Sequence, residues 1–296
     1  MKSETKSAFV AIVGEPNAGK STLLNTIVGE KVSIVSPKIQ TTRRQIRGIA
    51  EVSDNTQLVF IDTPGFCKPN TSLEKAIERN FKNSYQDADI VLLVIDATSQ
   101  NIEPSLKFLS KFPEKTTISV VINKVDVAKK ENILKIAKRI SEYDCVAKTF
   151  MVSATRQDGV QDIVQFLINF AQPSPWFFDA HTLTDLPMSQ RLAEITREKL
   201  FYHLEKELPY SIYVETELVH ETEKKAKIIQ SIVVMKSSQK GIVLGKSGSM
   251  IKTLKYEAIK DMQTLLNKKI ELKLFVKVKE KWVEKKVHLK NAGIID

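Results

Sequence analysis

Short runs of β-branched and other apolar residues alternate with stretches of helical spacing along the first 170 residues. Such runs predict strands, whereas apolar residues that recur every three or four positions predict amphipathic helices. The predicted strands cover 9–13, 45–52, 58–61, 90–95, 118–122 and 149–152, and the predicted helices between them cover 20–28, 71–84, 102–111, 129–142 and 159–170. This alternation indicates an α/β fold with a mainly parallel sheet that helices cover on both faces.

The pattern changes in the last third of the chain. Residues 173–188 contain three prolines and follow neither period, so we expect a linker between a domain at 1–172 and a domain at 189–296. Beyond this linker we predict a helix at 189–207, strands at 210–219 and 226–236, a short helix, a glycine-bounded turn, a helix at 249–267 and a strand at 270–278. The order α-β-β-α-α-β predicts an α+β second domain.

Positive charge is concentrated in that second domain. The chain has a net charge of +10, and residues 181–296 contain 22 Lys and Arg against 15 Asp and Glu, an excess of +7. The excess favours a polyanionic partner, either RNA, DNA or a membrane surface. On charge alone, a lysine-rich solvated surface is an equally good explanation.

The apolar stretches are too short for a secretion signal or a membrane span. A six-residue apolar run precedes the first glycine, and no stretch approaches the roughly 18 apolar residues that a span requires. Two cysteines, Cys67 and Cys145, are too few for a disulfide framework. We therefore expect a cytoplasmic protein that is at most peripheral on the inner face of the cell membrane.

The sequence GEPNAGKS at 14–21 fits the phosphate-binding pattern GxxxxGK[ST]. It follows the first predicted strand and opens the first predicted helix, which is the context that this pattern requires. Lys20 would reach the β- and γ-phosphates, and the Ser21 hydroxyl would bind Mg²⁺. The predicted phosphate-binding residues are Gly14, Glu15, Pro16, Asn17, Ala18, Gly19, Lys20, Ser21 and Thr22.

Three further motifs follow later predicted strands. In the first, DTPG at 62–65, Asp62 can hold Mg²⁺ through its water shell, and the Gly65 N–H can respond to the γ-phosphate. In the second, NKVD at 123–126, the Asp126 carboxylate can accept from both N1–H and N2–H₂ of guanine, whereas adenine would leave it unpaired. In the third, SAT at 153–155, the Ala154 N–H is predicted to face guanine O6. The residues assigned to nucleotide binding here are Asp62, Thr63, Pro64, Gly65, Asn123, Lys124, Asp126, Ser153, Ala154 and Thr155.

A polar loop at 32–44 lies between the first predicted helix and the second strand. We expect it to close over Mg²⁺ and the γ-phosphate through the hydroxyl of Thr41 or Thr42, with Thr42 preferred. The predicted metal ligands are therefore Ser21, Thr42 and Asp62. In the base-reading loop, the stem of Lys124 would cover the base and the Asn123 side chain would join the loop to residues 14–21.

Together these motifs resemble the Era family of ribosome-associated GTPases. The similar segments are GEPNAGKS at 14–21, QTTR at 40–43, DTPG at 62–65, NKVD at 123–126, TD at 184–185, ELPY at 207–210, GKSG at 245–248, and KVK at 277–279 with Trp282. The resemblance covers nearly the whole chain. It implies a P-loop GTPase domain followed by a type II KH domain, with Mg²⁺ and GTP or GDP as ligands.

The resemblance also bears on catalysis. Ras-like enzymes orient the attacking water with a glutamine soon after the DxxG motif, whereas here Phe66 follows Gly65. Asn17 matches an asparagine that binds K⁺ in some relatives, and a turn-favouring residue is the alternative explanation for it. We expect slow intrinsic hydrolysis that a partner or K⁺ accelerates, and we assign catalysis to Lys20, Thr42, Gly65 and Asn17. A pure binding module that senses GTP with hardly any hydrolysis is the alternative.

In the second domain, the GKSG turn at 245–248 lies between two predicted helices, as in a type II KH domain. Such a turn clamps the backbone of about four nucleotides. Gly245, Lys246, Ser247, Gly248, Lys252 and Lys255 are the predicted RNA-binding residues, and Ile242, Val243 and Leu244 are predicted to pack against bases. The resemblance implies that the RNA is the 3′ end of small-subunit ribosomal RNA, bound during small-subunit maturation. It also implies contact with a membrane surface, and we expect a monomer.

Overall fold

The computed structural model describes residues 4–36, 38, 42–43, 45–65, 88–110, 112–113 and 115–292. The predicted helix at 71–84, Thr41 and Phe66 lie outside these residues. The chain divides into two compact units. The described residues of the first fall within 4–33, 42–65 and 88–185, and those of the second within 34–38 and 186–292.

The first unit is an α/β sandwich whose strands have the order β2-β3-β1-β4-β5-β6, with β7 paired to β1. All neighbours from β3 to β6 are parallel, whereas β2 and β7 are antiparallel to their partners, which confirms the mainly parallel sheet. Each predicted strand of this unit is present, with ends displaced by at most three residues. Its elements are β1 (Lys6–Gly14), α1 (Lys20–Val28), β2 (Ile46–Ser53), β3 (Thr56–Asp62), β4 (Ile90–Asp96), α2 (Glu103–Leu109), β5 (Ile118–Asn123), α3 (Lys130–Ile140), β6 (Val146–Val152), α4 (Val160–Leu167) and β7 (Gln172–Pro173).

The core of this unit lies on both faces of the sheet. Side chains alternate between the two faces of a strand, so β1 contributes Val10 and Ile12 to one apolar cluster and Ala11 and Val13 to the other. The first cluster includes residues of α1 and α4, and the second includes residues of α2 and α3. Burial on both faces explains why β4 and β5 are continuous apolar runs rather than alternating ones.

Residues 174–185, here called the strap, run along the sheet of the first unit. Near its start, the backbone N–H groups of Phe177 and Phe178 donate to Gln57 Oε1 at 3.1 and 3.2 Å. Gln57 Nε2 in turn donates to the Phe178 carbonyl at 3.0 Å. Because Gln57 is fully buried, the strap satisfies an amide that would otherwise lie unpaired inside the unit.

The far half of the strap follows the edge strand β2. The Ile49 N–H donates to the Leu183 carbonyl at 2.9 Å, and Thr184 forms an antiparallel bridge with Gly48. Arg47 Nη1 then donates to Asp185 Oδ2 at 2.8 Å. The prediction of a linker from composition therefore gave no indication that this segment is bonded to the sheet for most of its length.

The second unit has the predicted order α-β-β-α-α-β, followed by a short terminal helix. Its sheet has the order β10-β9-β8, with β9 parallel to β10 and antiparallel to β8. Ile232 and Val276 on one face of the sheet pack with Leu200 and Leu254 of two covering helices. The elements are α5 (Met188–His203), β8 (Tyr213–Glu221), β9 (Lys225–Val234), α6 (Ser237–Leu244), α7 (Ser249–Leu266), β10 (Lys269–Val278) and α8 (Lys286–Asn291).

Part of the polar loop predicted at 32–44 is bonded to α5 within the second unit. The Val35 N–H donates to Oε1 of the buried Glu198 at 3.1 Å. Lys38 Nζ donates to the carbonyls of Phe201 and Leu204 at the end of the helix, where a cation also interacts favourably with the helix dipole. Within the described parts of the chain, no helix has the length and apolar character needed to cross a membrane.

Candidate nucleotide-binding site and nucleic-acid interface

The predicted nucleotide motifs meet at one edge of the sheet in the first unit. The parallel strands β1, β3, β5 and β6 end at Gly14, Asp62, Asn123 and Val152, where the four motifs begin or immediately follow. Ligands of open α/β folds bind at this carboxyl edge. The strand order therefore brings together in space four motifs that are far apart in the sequence.

The loop before α1 is held in a conformation suited to an anion. Gly19 has φ of 96°, and a Cβ atom there would lie 2.2 Å from Asn123 Nδ2, so a side chain at this position meets both strain and a clash. Lys20 is buried, and its Nζ donates to the carbonyls of Gly14 and Glu15 at 3.1 and 2.9 Å. The N–H groups in the first turn of α1 and the Lys20 ammonium provide the positive field that phosphate requires.

A hydroxyl cluster surrounds the buried carboxylate of Asp62. Ser21 Oγ donates to Asp62 Oδ2 at 2.7 Å, Ser33 Oγ at 2.9 Å and Thr42 Oγ1 at 3.4 Å. Burial raises the pKa of Asp62, while the hydroxyl bonds and the nearby Lys20 ammonium act in the opposite direction. The structure thus brings the three predicted metal ligands together and adds Ser33, which the sequence analysis did not single out.

The donor set of this cluster fits Mg²⁺. Asp62 Oδ1 is buried and has no hydrogen-bond partner among the described residues, so one carboxylate oxygen remains available to a cation. Carboxylate and hydroxyl oxygens are the hard ligands that Mg²⁺ takes, together with water and phosphate oxygens. Ser21, Thr42 and Asp62 would hold the ion, which would neutralise charge on the phosphates.

The DTPG segment contacts the phosphate loop. A Cβ atom at Gly65 would lie 2.7 Å from Pro16 N, so the two backbones approach closely only because residue 65 has no side chain. Thr63 Oγ1 donates to the Ile12 carbonyl at 2.8 Å, and this bond joins the end of β3 to β1. The Thr63 hydroxyl therefore has a structural partner in a position that the sequence assigned to the nucleotide.

Asn123 connects the base-reading loop to its neighbours. Its Nδ2 donates to the Ala18 carbonyl at 2.9 Å, and its Oδ1 accepts from the Ala154 N–H at 3.0 Å. The first bond joins this loop to residues 14–21. The second gives the Ala154 N–H a different partner from the guanine oxygen that the sequence analysis expected.

Two charged residues outside the motifs accompany the base readers. Lys124 Nζ donates to Asp96 Oδ2 at 2.6 Å, which fixes the lysine stem expected to cover the base. Arg156 Nε lies 3.3 Å from Asp126 Oδ2. The sequence offered one signal for Asp96, a carboxylate at the end of β4 beside β5, and none for Arg156.

The GKSG turn of the second unit leaves its last glycine open. No atom lies within 4 Å of the position that a Gly248 Cβ would occupy. Lys246, Lys252 and Lys255 are exposed at this turn and on the first part of α7, and none of them forms an ion pair with a described residue. A phosphate can therefore approach the backbone of the turn without displacing a side chain.

The apolar residues before the turn differ from one another. Ile242 is 55% exposed, but Val243 is fully buried and belongs to the core of the unit. Leu244 is partly buried and packs against the same core. The prediction that all three pack against bases was wrong for Val243, because residues 242–244 belong to α6 and successive side chains of a helix point in different directions.

The two units of the chain match two different protein families. Residues 9–124 match the family described as 50S ribosome-binding GTPase, and residues 207–283 match the KH domain family. GTPase Era of Agrobacterium fabrum is 42% identical over 294 residues, which cover 98% of this chain and 92% of that protein.

Solved structures give the same result. An Era variant of Aquifex aeolicus bound to GDP and AlF₄⁻ is 31% identical, with a TM-score of 0.92 over 99% of this chain and 100% of that one. Era in complex with MgGDPNP and nucleotides 1506–1542 of 16S ribosomal RNA matches with the same identity, TM-score and coverage. The chain therefore belongs to the Era family of GTPases, enzymes that hydrolyse GTP, and combines a P-loop GTPase unit with a KH unit.

Proposed function

We propose that this GTPase binds the 3′ end of small-subunit ribosomal RNA through its KH unit during assembly of the small subunit. The observation that carries the proposal is the open turn at 245–248, which approaching phosphates can reach without displacing a side chain. The Era structure solved with nucleotides of 16S ribosomal RNA supports the identity of the RNA, because this chain matches it over 99% of its length.

The chemistry of the turn favours single-stranded RNA. A KH turn of the GXXG type holds the backbone of about four unpaired nucleotides. Gly248 leaves room for a phosphate, and α7 begins at Ser249, so the helix N-terminus adds favourable electrostatics. Lys246, Lys252 and Lys255 extend the positive field, and the exposed Ile242 offers apolar surface to a base.

On the nucleotide side, membership of a GTPase family contradicts the alternative of a binding module that does not hydrolyse GTP. We propose that the intrinsic rate of GTP hydrolysis is slow. Ras-like enzymes have a glutamine soon after the DxxG motif, whereas here Phe66 follows Gly65 and no glutamine occurs at 67–70. Asn17 is exposed in the phosphate loop at φ of 63°, a position from which its side chain could bind K⁺. Such an ion would supply the charge that an arginine finger provides in other GTPases.

Chain connectivity supports regulation of RNA binding by the nucleotide. Ser33 and Thr42 bond to Asp62 in the Mg²⁺ cluster, whereas Val35 and Lys38 between them bond to α5 of the KH unit. A change at Thr42 on loss of the γ-phosphate would therefore act on a short segment that also contacts the KH unit. A transition of such a loop between an ordered and a disordered conformation is a common switch in GTPases.

Phosphate release tests the catalytic part of the proposal. Hydrolysis should be faster in KCl than in NaCl at equal ionic strength, and RNA should raise the rate further. Asn17→Ala should remove the difference between the salts while preserving GTP binding. Equal rates in the two salts would mean that Asn17 is only a turn residue.

Crosslinking in cells tests the identity of the RNA. Sequencing of the crosslinked fragments should recover the 3′ end of small-subunit ribosomal RNA, and recovery of unrelated RNA would contradict the proposal. Sedimentation of the purified protein alone and with lipid vesicles would test two further expectations, a monomer and contact with a membrane surface.

A further inference from the structure

One face of the sheet in the KH unit packs against helices α5, α6 and α7. The opposite face does not contribute to the apolar clusters beneath these helices. Alternate residues of the strands, such as Ile228 and Leu272, point into the apolar clusters beneath those helices. The intervening residues form the opposite side, here called the outer face. Its members with exposed or partly exposed side chains are Glu215, Leu218, His220, Lys225, Lys227, Ile229, Lys269, Glu271, Lys273, Phe275 and Lys277.

Apolar side chains occupy the middle of the outer face. The register pairs Ile229 with Leu218 on one side and with Lys273 on the other, and the next outward row pairs Ser231 with Phe275. Phe275 is therefore the diagonal neighbour of Ile229 on the adjacent strand, roughly 7–8 Å away, and Leu218 lies on the other side of Ile229. Leu218 is 44% exposed and Phe275 is 49% exposed, so these two large side chains of the edge strands β8 and β10 present apolar surface to solvent.

The end of the outer face nearest the terminal helix is covered by Trp282. Trp282 is fully buried, its Nε1 donates to the Ser211 carbonyl at 2.9 Å, and its ring lies 4.7 Å from that of Tyr213. Val233, which pairs with Tyr213, is likewise buried. Among the described residues, Trp282 therefore covers the Tyr213 end of this face, whereas Phe275 remains half exposed.

Lysines outnumber acidic residues around that centre, where Glu271 lies between Lys269 and Lys273 on β10 and opposite Lys227 of β9. Lys225, Lys227, Lys269 and Lys273 are exposed, and none of them forms an ion pair with a described residue. The acidic Glu217 at the rim is already compensated, because Lys277 donates to it and Ser231 also bonds to it, and these contacts lower its pKa. Lysines that flank an exposed aromatic ring on a flat sheet are the elements of a single-strand binding surface.

We propose that the outer face binds a second stretch of single-stranded RNA, separate from the four or so nucleotides held at the GKSG turn. One base stacks on the Phe275 ring beside Leu218 and Ile229, and Lys227 and Lys273 contact the flanking phosphates. The inference rests on the proposed RNA-binding function and extends it to a surface on the other side of the sheet. Stacking on aromatic residues of a sheet is an established mode of RNA recognition.

Other occupants fit these observations less well. Two protruding apolar side chains on a flat sheet give little area for insertion into a bilayer, where bound amphipathic elements present a continuous apolar face. A second copy of the chain would bring the unpaired lysines of two outer faces close together. A nucleotide combines a flat base with a negatively charged phosphate, and therefore matches both features of this face.

The test compares two fluorescent single-stranded RNAs that share the sequence bound at the turn, one of about four nucleotides and one of about twelve. Phe275→Ala should weaken binding of the long RNA about tenfold, which corresponds to about 1.4 kcal/mol, and leave the short RNA unaffected. Phe275→Tyr keeps the ring and should bind both RNAs like the wild type. Leu134→Ala removes another exposed apolar side chain, on α3 of the GTPase unit, and is the control.

Lys273→Gln should lower the affinity for the long RNA and reduce the salt dependence of binding, because fewer counterions are released. Gly248→Asp should weaken both RNAs. Wild-type affinity of Phe275→Ala for the long RNA, with Gly248→Asp still defective, would overturn the outer-face inference alone. Wild-type affinity of Gly248→Asp for the short RNA would instead contradict the proposed function of the turn.

Two further measurements address the other occupants. Vesicles of phosphatidylglycerol and phosphatidylethanolamine should sediment equal amounts of wild type and Phe275→Ala. Sedimentation velocity should give the same mass for both proteins. A loss of vesicle binding or of a dimer in Phe275→Ala, with unchanged RNA affinity, would assign the face to a membrane or to a second copy and overturn the inference. Circular dichroism confirms that each variant is folded.

Discussion

At the level of single residues, Lys20 is a buried lysine at the start of α1. Its ammonium donates to the Gly14 and Glu15 carbonyls and interacts electrostatically with the buried Asp62 carboxylate. Buried charges are costly unless something compensates them. A phosphate at the start of α1 would give the ammonium a further anionic partner, which links the folding of this loop to its function.

Lys20→Ala should therefore weaken GTP and GDP binding by about 3 kcal/mol or more, or roughly a hundredfold. Calorimetric titration with each nucleotide measures the loss. Lys107→Ala is the matched control, since Lys107 is an exposed lysine of α2 in the same unit. Unchanged nucleotide affinity in a folded Lys20→Ala protein would count against the whole site.

Asp126→Asn should change the base preference from guanine to xanthine. The carboxylate accepts from N1–H and N2–H₂ of guanine, whereas asparagine presents a donor to the 2-amino group. Xanthine has a carbonyl at that carbon, so a donor again meets an acceptor. Each mispaired buried group costs roughly 1–3 kcal/mol, which predicts a large loss for GTP and a recovery with XTP. Competition binding with GTP and XTP measures both effects.

Arg156 makes a control for this variant necessary, because Asp126→Asn also removes the ion pair between the two side chains. Arg156 is largely exposed, and exposed pairs contribute only about 0–1 kcal/mol. Arg156→Ala should therefore keep its preference for guanine. An Asp126→Asn protein that binds GTP normally, or a folded one that loses both nucleotides, would show that Asp126 does not read the base.

At the level of elements, sequence periodicity predicted the strands well, but it did not indicate which polar side chains at the ends of the strands bond to one another. β4 and β5 are runs of buried apolar residues, which made both strands recognisable. The NKVD motif at the end of β5 and the similar motifs after other strands also made the site recognisable. Ser33 and Asp96 are single polar residues with no periodic signal. Their roles depend on hydrogen bonds to Asp62 and Lys124, which only the folded chain brings within reach.

The turn between α6 and α7 leads to an element-level prediction for RNA binding. Gly248→Asp should weaken RNA binding at least tenfold, or by about 1.4 kcal/mol, because a carboxylate would face the approaching phosphate. The variant should still fold, since the site is open and Asp tolerates the φ of 76° better than most residues. A gel-shift assay measures RNA binding, and GTP affinity should be unchanged.

Gln263→Asp is the matched control for that variant. Gln263 is exposed on the same helix, fifteen residues after Gly248 and hence roughly 22 Å along the helix axis. It introduces the same carboxylate into the same unit, away from the turn. Equal RNA affinities of the two variants would mean that the effect is one of overall charge and that the turn does not contact RNA.

At the level of the whole molecule, the strap changes how the chain divides. Composition alone predicted a linker beginning at residue 173, yet residues up to Asp185 are grouped with the GTPase unit. The reason is that prolines and a lack of periodicity report only on local structure. The Gln57 amide, the β2 edge and Asn55, whose carbonyl accepts from Trp176 Nε1 at 3.2 Å, supply bonding partners from distant parts of the sequence.

A GTPase fragment should therefore be stable only if it keeps the strap. Fragment 1–172 loses both partners of the buried Gln57 amide, the Ile49–Leu183 bond and the Arg47–Asp185 pair, whereas fragment 1–185 retains them all. Leaving the polar groups of the buried Gln57 side chain without partners costs about 1–3 kcal/mol each, so we expect a loss of about 3 kcal/mol. For a unit of this size that corresponds to roughly 10 °C in Tm, measured by thermal unfolding. No strap residue belongs to the predicted nucleotide site, so GTP affinity of the two folded fragments should agree. Equal Tm values would mean that the strap lies on the sheet without stabilising it.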